Sequence, residues 1–359
     1  MRLSFSRFCV LALCGAASIS RASLFTLVTE GGGQCDSSMQ TTLDQWISDS
    51  KELVAAALWA VEQRSSNNEE ILAFFTSYFG IKFDYENGGF ANSASGIVFA
   101  TVRNTLTLVS NFLNGQGIPE AMNPTTPPYL FCGDGAYSAT GWYASVLGFD
   151  GKPVPNLDTG EGYYTVWDMY KQEVVTQAKN PFYSAVQNGY AFGLGKTPCA
   201  TRVVDGEEVA PAAFVTRPYF PKSLPDEGFV IDWNPSMTLC DMMLEAPEAP
   251  YVALLKDIAY PTKDSPINLD SQVPLSTSFY HELTHLVSKA VEDNWYDLNA
   301  IIKNAVIDAA GDSQGAENNA ESYMFFSLAL WYYRNPNDGY RATFYRGKSN
   351  DPLRISTTS

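Results

Sequence analysis

The chain has 359 residues, of which 45% are hydrophobic and 17% charged, enough apolar material for a large core and too much for a chain disordered throughout. Its 39 acidic residues against 23 basic ones give a net charge of −16. Such a surface repels phosphate backbones and anionic membranes, so it argues against nucleic acid or a membrane as partner.

Met1–Ala22 reads as a secretory signal peptide. Arg2 and Arg7 make a basic start, Phe8–Ala17 a short apolar run, and Ser20-Arg21-Ala22 a cleavage site. The run is far short of the ~20 apolar residues that span a bilayer. Removing residues 1–22 takes three arginines and no acid, which moves the net charge from −16 to −19. Six cysteines are present, and Cys9 and Cys14 leave with the signal. Cys35, Cys132, Cys199 and Cys240 remain, an even set that in a secreted chain suggests disulfides. No CxxC spacing supports a zinc ribbon.

Gly31-Gly32-Gly33 marks a ragged start to the mature chain. From Ser38 to Gln63, Leu43, Trp46, Leu53, Ala57 and Val61 recur at helical spacing. Asn67-Asn68-Glu69-Glu70 opens a second helix through Phe79, stopped by Gly80, and Ile97–Leu113 reads as a third. Residues 115–230 are rich in Gly, Pro and aromatics, with a proline-rich loop at Asn123–Pro128 and extended runs at Gly162–Val166 and Ala212–Val215. They read as irregular structure with short strands. Phe229–Trp233 and Met237–Leu244 suggest two further strands. Helical periodicity returns from Leu275 and again over Ala316–Tyr333, and the polar end of the chain reads as a loose tail.

The only two histidines lie in His281-Glu282-Leu283-Thr284-His285, an HExxH motif. Residues four apart share one helix face, so both imidazoles can reach one metal, with Glu282 placed to take a proton from water. Ser276, Thr277 and Ser278 offer an N-cap, while Phe279, Leu283, Leu286 and Val287 form an apolar face. Catalytic zinc takes three protein ligands as a rule. With no third histidine, the remaining ligand is a downstream carboxylate. Asp293, eight residues past His285, is one candidate, with Tyr296 placed to bond an oxyanion. Glu321, on the following helix, is the other.

At these residues the sequence resembles the fungal aspartate-ligated zinc endopeptidases, the deuterolysins and, more closely, the peptidyl-Lys metalloendopeptidases. That family carries HExxH, then a GTxDxxYG-like segment supplying Asp and Tyr, then an Asn-Ala-Asp-Asn segment on a helix. Here His281–His285 matches the first, Asp293 and Tyr296 keep the D-x-x-Y spacing of the second, and Asn319-Ala320-Glu321-Ser322 with Phe325 is similar to the third. Cys35-Asp36-Ser37-Ser38, the helix around Val54–Val61, the Phe75–Gly80 segment and Thr238-Leu239-Cys240 resemble the family's opening helices and its cysteine segment. The likeness covers about residues 35–335. Val291 and Glu292 stand in place of the family's glycine and threonine, Asp297 in place of a glycine, and Glu321 in place of an aspartate.

The resemblance implies an α+β, mainly helical, zincin-like metalloprotease domain over residues 23–345, with a small antiparallel sheet and an expanded irregular insertion at about 115–230. Residues 346–359 form the tail. It implies one zinc per chain on His281, His285 and Asp293, with Glu321 orienting a ligand histidine, Glu282 as general base and Tyr296 at the oxyanion. Chain order and the resemblance together suggest the pairs Cys35–Cys132 and Cys199–Cys240. The expected protein is a monomeric secreted endopeptidase acting on polypeptides. Lysine preference in the family needs an acidic pocket, and the abundant acids here do not identify one. A secreted binding or effector protein that keeps a zinc site with little proteolysis is the alternative, and a zinc-stabilised structural module a third reading.

Overall fold

The computed structural model describes residues 24–29, 32–119, 121, 126–177, 179–204, 207–209, 211–217, 219–220, 231–232, 234–244, 252–307, 313–337 and 339–349. The signal peptide at 1–22, much of the Asn123–Pro128 loop, most of Phe229–Trp233 and the end of the tail from 350 lie outside them.

Three long helices open the domain, each started by a side-chain cap. α1 (Ser37–Gln63) begins where Asp36 accepts the Met39 N–H, and α2 (Glu69–Phe79) where Asn68 accepts that of Glu70. Gly80 closes α2 at φ 68°, and a Cβ there would stand 2.6 Å from the Ala305 carbonyl oxygen. α3 (Ser93–Leu113) starts four residues earlier than the apolar periodicity suggests, because Asn92 caps the Ser95 N–H.

Helices and sheets occupy one α+β architecture. The central sheet runs β1 (Thr26–Leu27), β4 (Tyr129–Cys132), β13 (Ser236–Leu239), β10 (Ala213–Thr216), while β2 (Phe83–Asp84) with β3 (Gly89–Phe90), β8 (Arg202–Val204) with β9 (Glu207–Val209), and β11 (Tyr219–Phe220) with β12 (Ile231–Asp232) form short antiparallel pairs. It is mixed, not antiparallel as expected: β1 and β13 both pair parallel to β4, and only β10 pairs antiparallel, to β13. The ragged glycine start is also corrected. Leu24 and Phe25 are already 2% and 1% exposed, and β1 is in the sheet before the glycines. Met237–Leu244 proves to be β13 followed by α5 (Asp241–Leu244), not one strand.

The expected insertion at about 115–230 supplies two strands of the central sheet, β4 and β10, and carries a second sheet between them. Its antiparallel sheet of β5 (Tyr137–Ala139), β6 (Asn180–Ser184) and β7 (Gly189–Gly193) fits the reading of short strands. The helix α4 (Val166–Gln177) does not. Thr165 and Asp168 cap its start reciprocally, Thr165 Oγ1 donating to Asp168 and accepting the Asp168 N–H. Val146, Tyr164, Val166, Tyr170 and Tyr190 give the insertion a small apolar cluster of its own.

The last helices carry the motifs. α6 (Leu275–Val287) packs against α1, α3 and α8 (Ala320–Arg334). It begins behind Pro274 with no serine cap; the Thr277 hydroxyl instead donates to the Pro274 carbonyl. Phe279, Leu283, Leu286 and Val287 are fully buried, as their spacing requires. α8 is buried on nearly every side, which marks it as the central helix of the layer. The first residues of the expected tail are tied down: Leu269 N–H donates to Gly347 and Ser349 N–H to Ile267.

Both disulfides follow the expected pairing. Cys35–Cys132 joins the start of α1 to β4, and Cys199–Cys240 joins the insertion to the end of β13. No helix among the described residues is long and apolar enough to cross a membrane.

Candidate metal centre

His281 and His285 stand one turn apart on α6, and both are anchored through Nδ1. His281 Nδ1 meets Glu321 Oε2, at the start of α8, at 2.5 Å. His285 Nδ1 meets the Val291 carbonyl at 3.0 Å. A carbonyl only accepts, so His285 donates from Nδ1, and loss of its Nε2 proton frees that nitrogen's lone pair for a ligand. The two Nε2 atoms face each other at 3.1 Å.

The chain then turns back. α6 ends at Val287, and the next residues lie along the start of α8. Glu292 N–H donates to the Asn318 carbonyl at 2.7 Å, and Ala320 N–H donates to that of Glu292 at 3.0 Å. This clamp presents Asp293 to the histidines. Its Oδ1 lies 2.9 Å from His285 Nε2 and 3.1 Å from His281 Nε2.

The three atoms form a group able to hold a metal ion. Zinc bonds of about 2.0–2.1 Å to nitrogen and oxygen set tetrahedral donors about 3.3 Å apart. The observed 2.9, 3.1 and 3.1 Å are within a few tenths of that spacing. Glu321 is not in the triangle, because it bonds the far nitrogen of His281.

The electrostatics favour a cation. Burial opposes charge on His281, yet the carboxylates of Glu321, Asp293 and Glu282 outweigh it and hold its pKa well above the ordinary value. His285 is raised too, chiefly by Asp293 and Glu282 acting against burial. Burial also works against ionised Asp293, but hydrogen bonds from both histidines hold its carboxyl far below the usual range. Burial pushes the Glu282 carboxyl up, with the histidines pulling the other way. The cluster thus draws positive charge onto its Nε2 atoms, and a divalent ion there supplies the same charge.

A cleft of about 500 Å³ opens beside His281, lined by Glu282, Asp293, Tyr296 and residues of β7, β10 and α5. A second, of about 270 Å³, opens beside His285. Ala213, Phe214 and Val215 of β10 border both. Tyr296 is 56% exposed, and its ring lies nearly parallel to that of His281 at 6.3 Å.

No family model, curated protein or solved structure matches this chain. Val291 supplies the carbonyl that orients His285. Asp297 has extended backbone, φ −79°, and caps α7 (Leu298–Asn304) by accepting the Ala300 N–H.

Two further residues support the centre. Arg217, just after β10, donates to the His285 and Leu286 carbonyls at 2.8 and 2.7 Å, tying the end of α6 to the sheet edge. No sequence signal links it to a helix 68 residues away. Buried Asn319 secures the loop after Asp293. The Asn-Ala-Glu-Ser segment includes its position but carries no sign of that task.

Proposed function

We propose that this chain is a secreted zinc endopeptidase of the aspartate-ligated, zincin-like type, with His281, His285 and Asp293 as its ligands. The observation that carries this reading is the convergence of His281 Nε2, His285 Nε2 and Asp293 Oδ1 beside buried Glu282. Zinc held there supplies a Lewis acid that acidifies water to a pKa of about 7 and polarises a carbonyl.

The protein's own groups do the rest. Glu282 is 7% exposed and its Oε1 lies 3.9 Å from His281 Nε2. Burial raises its basicity, so it takes the proton of the attacking water and passes it to the leaving amine. Glu321 and Val291 fix the two ring orientations. Tyr296, on the cleft wall, donates to the oxyanion.

A polypeptide is the substrate that fits the surroundings. β10 ends the central sheet among the described residues and borders both clefts. An extended chain laid along that edge pairs by main-chain hydrogen bonds while crossing the metal centre. Two disulfides suit an oxidising, extracellular setting.

Casein zymography with and without chelator tests the proposal. Clearing that chelator abolishes and zinc restores supports it. A zinc-loaded protein that leaves casein and peptides intact would favour the binding or effector alternative.

A further inference from the structure

The cleft beside His281 is chemically divided. Its carboxylates among the described residues are Glu282, Asp293 and Glu321, all three grouped at the histidines. Apart from Ser278, His281, Tyr296 and Met324, the rest of its lining among the described residues comes from β7 and the turn after it, from β10 with the residues just before it, and from α5, and holds neither Asp, Glu, Lys nor Arg. Two large apolar side chains stand in water at this wall: Leu194 is 40% exposed and Met242 48%.

This wall is built and braced. Phe192 stacks on Trp142 at 5.8 Å, and Phe214 packs against Tyr137 at 5.8 Å. Asn180 donates to the Gly195 carbonyl, and a Cβ on Gly195 would meet that of Ala200 at 2.8 Å, so the turn is tightly folded. Cys199, in the same turn, is bonded to Cys240, two residues before Met242. The disulfide therefore fixes the Leu194 bank against the Met242 bank.

We infer that this half of the cleft is a subsite for a large apolar side chain of the substrate, aliphatic or aromatic, next to the scissile bond. Leu194 and Met242 are its specificity-determining residues. The inference rests on the endopeptidase reading and runs against the lysine preference found within the resembled family. A lysine ammonium placed here meets no carboxylate among the described residues of this half of the lining. An apolar side chain removes its own surface and that of Leu194 and Met242 from water.

Two readouts separate this inference from the reading beneath it. The first is kcat/KM of the zinc-loaded protein on quenched-fluorescent peptides carrying Phe, Leu, Ala or Lys beside the cleaved bond. The second is the binding of the same peptides, by fluorescence anisotropy, to the Glu282→Gln protein, which needs no turnover. Phe and Leu peptides are expected to exceed Lys by roughly ten- to a hundredfold in the first, with tighter binding in the second. The Leu194→Asp, Met242→Glu double variant should reverse the order in favour of Lys. Both positions are exposed, so folding is little affected; single Leu194→Ser and Met242→Ser variants, each expected to lower the Phe preference, provide a milder pair. Equal or better use of Lys, or a preference unmoved by either set of variants, overturns the subsite. Tighter Phe binding without hydrolysis of any peptide keeps the subsite and rejects the endopeptidase.

Discussion

Asn319 holds Trp295 at both of its backbone polar groups: Oδ1 accepts the Trp295 N–H at 2.9 Å, and Nδ2 donates to the Trp295 carbonyl at 3.1 Å. The same Oδ1 takes the Asn294 N–H at 2.9 Å, and Nδ2 also reaches Ser322 Oγ. One fully buried amide thus secures the two residues that follow Asp293.

Asn319→Ala is expected to weaken zinc binding by about 10–100-fold, the usual cost of losing a support behind a ligand. It should also lower stability by about 1–3 kcal/mol, because the partners of a buried amide lose their hydrogen bonds. Chelator competition reads the first effect and denaturant unfolding the second. Unchanged zinc affinity would show that Asp293 keeps its place without this clamp.

Asp293 and Glu321 should separate cleanly. Asp293→Ala removes an atom of the donor triangle and is expected to abolish stoichiometric zinc. Glu321→Ala removes only the partner of His281 Nδ1, and should retain zinc with about a 10–100-fold weaker affinity. Metal analysis after dialysis decides it, and the reverse order would make Glu321 the ligand.

What the sequence revealed of this centre follows from distance along the chain. HExxH was legible because a helix alone places His281 and His285 on one face. Asp293 and Glu321 stayed in competition on the residues alone, because a loop's return path has no periodicity to read; only the resemblance favoured Asp293. Asn319 sits at the N-cap of α8 but makes no side-chain cap, spending its amide on the neighbouring loop instead. Local rules would assign it to its own helix. Arg217 and the parallel pairing of β13 with β4 join segments far apart in sequence, where local propensity carries no signal. The capping pair Thr165 and Asp168 was readable, but the preceding glycines masked it.

Tyr296→Phe leaves the three donors in place, so zinc should remain bound. Turnover should fall by about 10²-fold, the lower end for one lost oxyanion donor. Peptide hydrolysis at equal zinc loading checks this, and unchanged turnover would remove Tyr296 from the reaction.

Asp49 gives a pH-dependent prediction away from the centre. Burial pushes its carboxyl up, and the Leu255 N–H it accepts offsets this only in part. The folded pKa therefore lies above the unfolded one, so stability is lost as pH rises through the folded value. Asn keeps an acceptor for Leu255 and carries no charge. Asp49→Asn should raise Tm at pH 7 and lose that advantage as pH falls through the raised folded value, with none left below about 4. Thermal unfolding across pH tests the sign, and an advantage that grows on acidification would contradict it.

The most direct test of the central claim is hydrolysis by Glu282→Gln protein measured beside its zinc content. Glutamine preserves the shape of the side chain and removes the base. The account predicts about one zinc per chain in both proteins and a loss of peptide hydrolysis of roughly 10²–10⁴-fold in the variant. Hydrolysis retained in the variant at equal zinc content would contradict it.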